Sequence, residues 1–285
     1  MNLYTRRTAV VSLGAALAAG LTAPAAARDT VVHTTGPAPL RRAHAHNDYE
    51  HPRPLFDALD HGFGSVEADI WLVDGRLLVA HEEGDLDPAR TLEALYLSPL
   101  RRRIQANGGT VYRGHRLSLQ LLIDIKTAGD PTYRALSRVL RRYRELLSVC
   151  SAGRVRGGPV TAVVSGDRAA RAPMEAERVR LAFYDGRPED LGTAAPASFA
   201  PLVSASWSEM FDWQGVGPMP TEQRERLRQL VTAAHSERRR LRFWATPDLA
   251  GPAREAVWTQ LLDAGVDHLN SDDLPGLETF LRTAH

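Results

Sequence analysis

A single (β/α)8 barrel, an α/β TIM-barrel fold, is what this sequence predicts, and three observations predict it. Eight short apolar runs alternate with helix-like stretches from about residue 43 to the C-terminus, the pattern of a parallel sheet joined by crossovers. Of the 285 residues, 27 read as a targeting signal, and the 258 that remain suit one large α/β domain better than two small ones. Three of the runs end in polar pairs that share one strand face, and a barrel gathers the C-terminal ends of its strands at a single mouth. An open doubly wound sheet is the alternative. No glycine-rich phosphate loop follows the first run, which weighs against its nucleotide-binding form.

In chain order, strands are expected at 43–46, 65–71, 119–125, 160–165, 179–184, 201–204, 241–244 and 267–270. These runs are apolar and bounded by Gly, Pro, Asp or Ser. A further run, 76–80, follows the turn Val73-Asp74-Gly75 and should fold back on the second strand as a hairpin. Helices are expected at 54–61, 91–105, 132–147, 169–177, 221–239, 252–264 and 274–282. The crossovers 169–177 and 190–200 are the weakest, since each contains Pro.

Ahead of the barrel, Thr5-Arg6-Arg7-Thr8 precedes an apolar stretch, Ala9 to Gly20, and the small residues Ala25-Ala26-Ala27. Residues 1–27 therefore read as a twin-arginine signal, with an ordinary secretory signal as the alternative. The stretch is too short and too weakly apolar to span a membrane. Residues 28–40 read as a flexible leader and 41–285 as the barrel, a secreted protein expected to act as a monomer. Without Arg6 and Arg7, 33 basic residues face 34 acidic ones, a balance that gives no sign of general affinity for nucleic acid or anionic membranes. The single cysteine, Cys150, excludes an intrachain disulfide.

Parallel strands are buried on both faces and should be apolar throughout. Three break that rule: His44-Ala45-His46-Asn47, Glu67-Ala68-Asp69 and Asp124-Ile125-Lys126. Lys126 is the one lysine in the chain, set in the run Leu121-Leu122-Ile123-Asp124-Ile125. At a shared mouth Glu67, Asp69 and Asp124 would repel one another. A hard cation relieves that repulsion, and with the amide oxygen of Asn47 the set favours Mg²⁺ or Ca²⁺ over Zn²⁺. Salt bridges to barrel arginines are the alternative for Glu67 and Asp69. The hairpin brings back His81, so His46 and His81 form a pair suited to general acid–base work on an anionic ester. Lys126 suits a phosphate oxygen. His44, one layer deeper, suits orienting a ligand.

These motifs resemble the superfamily of phospholipase C-like phosphodiesterases, which joins phosphoinositide-specific phospholipase C, glycerophosphodiester phosphodiesterases and the sphingomyelinase D type. His46-Asn47 is similar to the His-Asn start of phospholipase C, where the Asn contacts the metal. Val66-Glu67-Ala68-Asp69-Ile70, Asp74-Gly75 and Val79-Ala80-His81 resemble all of them, and Asp124-Ile125-Lys126 the sphingomyelinase D pattern. Phe243-Trp244-Ala245-Thr246 and the stretch from Gly265 to Asp272 look like the last two strands of the glycerophosphodiesterases. The mixture is most similar to the branch that includes the altered inheritance of mitochondria proteins. The resemblance implies a metal-dependent phosphoric diester hydrolase acting on a glycerophosphodiester or phospholipid head group, with His46 as base and His81 as acid. A lyase releasing a cyclic phosphate and a barrel that only binds phosphate or sugar are the competing functions.

Weaker candidates remain. Asp48, Glu50, Glu82 and Glu83 read as solvated loop acids, with support of the metal ligands from behind as the alternative, and Arg168 and Arg187 as turn residues able to reach a phosphate. Trp207 and Trp244 suit either an apolar substrate wall or packing at the barrel rim.

Overall fold

The structure is a computed structural model that describes residues 38–284. The stretch 1–27 read as a targeting signal and all but the last three residues of the stretch read as leader lie outside the described residues. Twelve strands and eight α-helices are described. The strands are β1 Leu40–Ala45, β2 Phe63–Val73, β3 Arg76–Val79, β4 Leu119–Ile125, β5 Val149–Ser151, β6 Arg154–Arg156, β7 Val160–Gly166, β8 Val179–Arg180, β9 Ala182–Gly186, β10 Leu202–Ser206, β11 Arg240–Trp244 and β12 Leu269–Ser271. The helices are α1 Phe56–Asp60, α2 Ser98–Ala106, α3 Gly129–Arg141, α4 Arg171–Glu175, α5 Trp207–Met210, α6 Thr221–Ser236, α7 Pro252–Ala264 and α8 Leu274–Thr283. Among the described residues no helix is long and apolar enough to cross a membrane.

Eight parallel strands run in the order β1-β2-β4-β7-β9-β10-β11, with β12 on the other side of β1. A parallel bridge between Arg242 and His268 brings β11 against the start of β12, so the barrel is nearly closed. Its outer wall packs on the helices through one large apolar cluster that includes Ile70, Leu121, Ile123, Trp207, Phe243 and Trp258. A smaller cluster, Leu122, Cys150, Val163, Phe183 and Leu202, is separate from it.

Local chemistry explains the ends of the elements. Asp74 and Gly75 both have positive φ, 47° and 76°, as the tight turn between antiparallel β2 and β3 requires. Pro252 opens α7 and Gly265, at φ 88°, closes it. The Asp273 side chain caps α8 by accepting from Gly276 N–H at 3.0 Å.

Four expectations need correcting. Strand β1 begins at Leu40, inside the stretch read as leader. The helix expected over 132–147 ends at Arg141, because the chain then turns to bury Leu146 and Leu147. The run 179–184 is two strands: β8 pairs antiparallel with β5 while β9 joins the barrel. The three-stranded sheet β6-β5-β8 was not expected at all; its strands are too short to show a period.

Candidate active site

The mouth is built by register. Asp69 on β2 lies opposite Asp124 on β4, so two carboxylates reach the same level on neighbouring strands. Glu67 sits one inward-facing position lower on β2. Ligand oxygens of Glu67, Asp69 and Asp124 lie within 4.8 Å of one another. His46 and Asn47 follow β1 directly, and Asn47 adopts a left-handed backbone at φ 44°.

Beneath the mouth a chain of polar side chains fills one side of the barrel. Gln120 Nε2 donates to Ser65 Oγ at 2.9 Å, and Ser65 Oγ lies 2.7 Å from His44 Nδ1. The opposite nitrogen of His44, Nε2, meets Glu67 Oε2 at 2.9 Å. Arg242 donates to the same Glu67 oxygen at 2.6 Å and, through Nε, to Asn270 Oδ1 at 2.9 Å. Burial would raise the Glu67 carboxyl, but Arg242 and His44 outweigh it and hold Glu67 well below the usual range. Burial, aided by Arg242, lowers His44 to about 4, so its ring is neutral near pH 7.

Higher up, the balance reverses. Burial and the neighbouring acids push Asp124 up to about 6 and raise Asp69, although Lys126 opposes both. Lys126 Nζ lies 3.0 Å from Asp69 Oδ2 and 3.4 Å from Asp124 Oδ1. Asp69 Oδ1 is buried without a hydrogen-bond partner among the described residues. A buried orphan oxygen inside a cluster of three carboxylates is the donor chemistry that a hard cation satisfies. The residues therefore fit a divalent metal.

Each histidine is anchored through Nδ1. His46 Nδ1 lies 2.8 Å from Asp272 Oδ1, and His81 Nδ1 lies 3.2 Å from Asp69 Oδ2. The Tyr49 hydroxyl sits between several groups, 2.7 Å from Asp69 Oδ2, 2.8 Å from Asn47 Oδ1 and 3.0 Å from His81 Nδ1. Burial, with Asp69 alongside, keeps this phenol protonated. It therefore has one proton to donate and a lone pair left to accept from His81. With Nδ1–H directed at an oxygen in both rings, Nε2 is the nitrogen each histidine turns to the mouth, that of His81 3.6 Å from the exposed Glu82 Oε1. Both remain reachable, with side chains 30% and 46% exposed for His46 and His81.

His46, Asn47, Glu67, Asp69, His81, Asp124 and Lys126 thus gather at the mouth. The alternative weighed for Glu67 also holds, since it does bridge a barrel arginine, yet its Oε1 keeps no protein partner among the described residues. Trp207 is no substrate wall. It is 0% exposed, tilted against Phe211 and edge-on to Trp213 and Phe243, with its Nε1 donating to Trp213 O at 3.0 Å. The first turn after β10 folds it back into the outer core. Trp244, 37% exposed, does line a mouth cavity, together with Arg168, Arg187 and Ser206.

Three partners escaped sequence reading. Arg242 interrupts an apolar strand between Leu241 and Phe243, the same signal that singled out Glu67. Asp272 is the acid directly after β12. Tyr49 sits in a loop and carries no pattern that marks it.

Residues 35–185 match the AIM6-like phosphodiesterase domain family, and residues 240–275 the glycerophosphoryl diester phosphodiesterase family. The protein named Altered inheritance of mitochondria protein 6 from Eremothecium gossypii is 33% identical over 270 residues, covering 85% of this chain and 69% of its own. A homolog of that name from Arthroderma benhamiae is 29% identical over 255 residues, 81% of each chain. A crystal structure of a glycerophosphoryl diester phosphodiesterase from Parabacteroides distasonis shares the fold, with a TM-score of 0.50 and 12% identity over 87% of this chain and 88% of that one.

Proposed function

Given that the chain belongs to the family of AIM6-like phosphodiesterase domains, we propose that it is a metal-dependent phosphoric diester hydrolase acting on a glycerophosphodiester or a phospholipid head group. The observation that carries this reading is the pair of carboxylate-anchored histidines beside the three-carboxylate cluster.

Glu67, Asp69 and Asp124, joined by Asn47, would hold Mg²⁺ or Ca²⁺, which supplies positive charge against the phosphoryl oxygens. Lys126 adds a second positive charge at the same place. His46 Nε2 takes the proton of the attacking oxygen, from water or from a hydroxyl of the substrate itself. His81, as the imidazolium, gives its Nε2 proton to the leaving oxygen as the phosphorus–oxygen bond breaks. Asp272 and Asp69 keep the two rings in the tautomers these roles need. Arg6 and Arg7 support export by the twin-arginine route, and Arg6→Lys/Arg7→Lys should leave the protein inside the cell.

The test is to incubate the protein with glycerophosphodiesters, lysophospholipids and phosphoinositides and follow the phosphorus products with Mg²⁺ or Ca²⁺ present. Turnover should vanish on chelation, and a persistent cyclic phosphate would mark the hydroxyl of the substrate as the nucleophile. On a nitrophenyl phosphodiester, whose leaving oxygen needs little protonation, His81→Ala should be largely rescued and His46→Ala should not. Full activity after exhaustive chelation would overturn the metal role, and equal rescue of both variants would overturn the assignment of base and acid.

A further inference from the structure

The opposite end of the barrel carries an unbalanced charge of its own. Strand β1 pairs with β2 at Leu40–Phe63 and again at His44–Ser65. Three residues of β1 therefore face one of β2, a bulge opposite Gly64. A Cβ at Gly64 would lie 2.8 Å from Arg41 O and 2.9 Å from Arg41 Cα, so the bulge depends on glycine there. Alternation along a regular strand would send Arg41 and Arg42 to opposite faces. The bulge breaks it, and both line one cavity of about 420 Å³, with Arg240, His268, Ser118 and Thr161.

Arg240 is the informative member. It is only partly exposed, and its guanidinium donates to His268 Nε2 at 3.0 Å. An arginine cannot accept, so His268 Nε2 must be the acceptor and its proton sits on Nδ1. That N–H is buried without a partner among the described residues. Burial and Arg240 hold His268 well below its ordinary value, so the ring stays neutral. None of Arg41, Arg42 and Arg240 has a carboxylate within salt-bridge distance among the described residues. Asp267, the one acid lining the cavity, is taken up by His235 Nε2 at 2.9 Å and Leu241 N–H at 2.8 Å. Exposed arginines are usually just solvated. A desolvated guanidinium whose bond goes to a neutral ring, beside two more guanidiniums of which only Arg42 finds an acceptor, Leu262 O at 3.5 Å, is a set of donors short of acceptors.

The geometry points to a second anion site at the N-terminal end of the barrel, formed by Arg41, Arg42, Arg240 and His268, that takes a phosphate dianion either free in solution or on a lipid head group. Several guanidinium forks match a group with three or four acceptor oxygens and two charges.

Calorimetric titration of inorganic phosphate into the protein tests this, in wild type, Arg41→Ala/Arg42→Ala, Arg240→Lys and Lys126→Met. Lys126→Met should keep the binding event, since Lys126 lies at the other end. Arg41→Ala/Arg42→Ala, whose residues are exposed and should not disturb folding, should bind roughly tenfold more weakly or worse, the scale of losing a charge-assisted hydrogen bond. Arg240→Lys, which keeps the charge but not the fork, should fall between. Co-sedimentation with phosphatidylcholine vesicles containing phosphatidic acid separates the sources. Vesicle binding that depends on Arg41 and Arg42, without binding of free phosphate, marks a lipid head group, and the reverse marks a soluble ligand. Neither binding, or binding that only Lys126→Met removes, overturns the site.

Discussion

One register line crosses the inside of the barrel and changes character on the way. Glu67 is opposite Leu122, Leu122 opposite Val163, and Val163 opposite Phe183. On the side of β1, β2, β11 and β12 the interior is filled by Ser65, His44, Glu67, Arg242 and Asn270, bonded one to the next. On the side of β7, β9 and β10 the same level is filled by Val163, Phe183 and Leu202, which need no partners. Buried polar groups are tolerated when each is satisfied, whereas apolar groups are tolerated anywhere. The difference teaches that the barrel separates its chemistry from its ballast. At the level of Glu67, charge is confined to the strands that hold the candidate site; nearer the mouth Asp185 on β9 is also buried, held by Ser165, Ser204 and Arg187.

The largest expected effect lies on the polar side. His46→Ala and His81→Ala should each lower phosphodiester turnover by roughly 10²–10⁴-fold, with little change in melting temperature because both rings are partly exposed. A severe loss of stability in either would blur the separation.

Next come two substitutions of similar cost and different consequence. Arg242→Met leaves Glu67 buried without its cation, and Phe183→Ala opens a cavity. Each should cost about 3–5 kcal/mol in denaturant unfolding. Only Arg242→Met should also lower the rate, since it frees Glu67 to move. A rate loss from Phe183→Ala as large as that from Arg242→Met would break the comparison.

Asp48 sharpens it from outside the polar chain. Its Oδ2 accepts from Leu55 N–H at 2.6 Å and Tyr96 Oη–H at 2.8 Å, while Oδ1 is buried unpartnered. With no cation beside it, burial pushes its carboxyl up to about 7, the reverse of Glu67. The native state then holds a proton that the unfolded chain releases near pH 4. Stability should fall as pH rises from about 4 to 7, by an amount on the order of a few kcal/mol. Asp48→Asn should flatten that slope in melts taken across the range.

The smallest effect is a shift in a pH profile. Burial lowers His46, but the hydrogen bond to Asp272 and the nearby Glu67 charge raise it overall. A base must be neutral, so activity should fall as pH drops through this raised value. Asp272→Asn should move the acid limb of kcat/KM to lower pH. A limb that stays in place would show that another group titrates there. The same bond stabilises the fold below the ordinary histidine value and is lost as pH rises through the raised one.

The barrel was legible because parallel strands buried on both faces read as apolar runs, and the acids that interrupt β2 and β4 are loud against that background. The small β6-β5-β8 sheet was not, since Val149–Ser151 and Arg154–Arg156 are three residues each and alternation needs more. Arg242 carried the same signal as Glu67 but sits among many arginines, where one more in a strand draws no attention. The tie of His46 to Asp272 spans 226 positions and depends on closure, which no local pattern records.

That closure rests on little backbone. Where β2 and β4 pair over six residues, β11 and β12 meet at the bridge between Arg242 and His268. Across the gap it is the Arg242 side chain, reaching Asn270 and Glu67, that laces the strands. Amide hydrogens of β12 should consequently exchange with solvent sooner than those of β2 and β4. Occupancy at the mouth, by gripping Glu67, should slow them. The seam would then report on a ligand that never touches it.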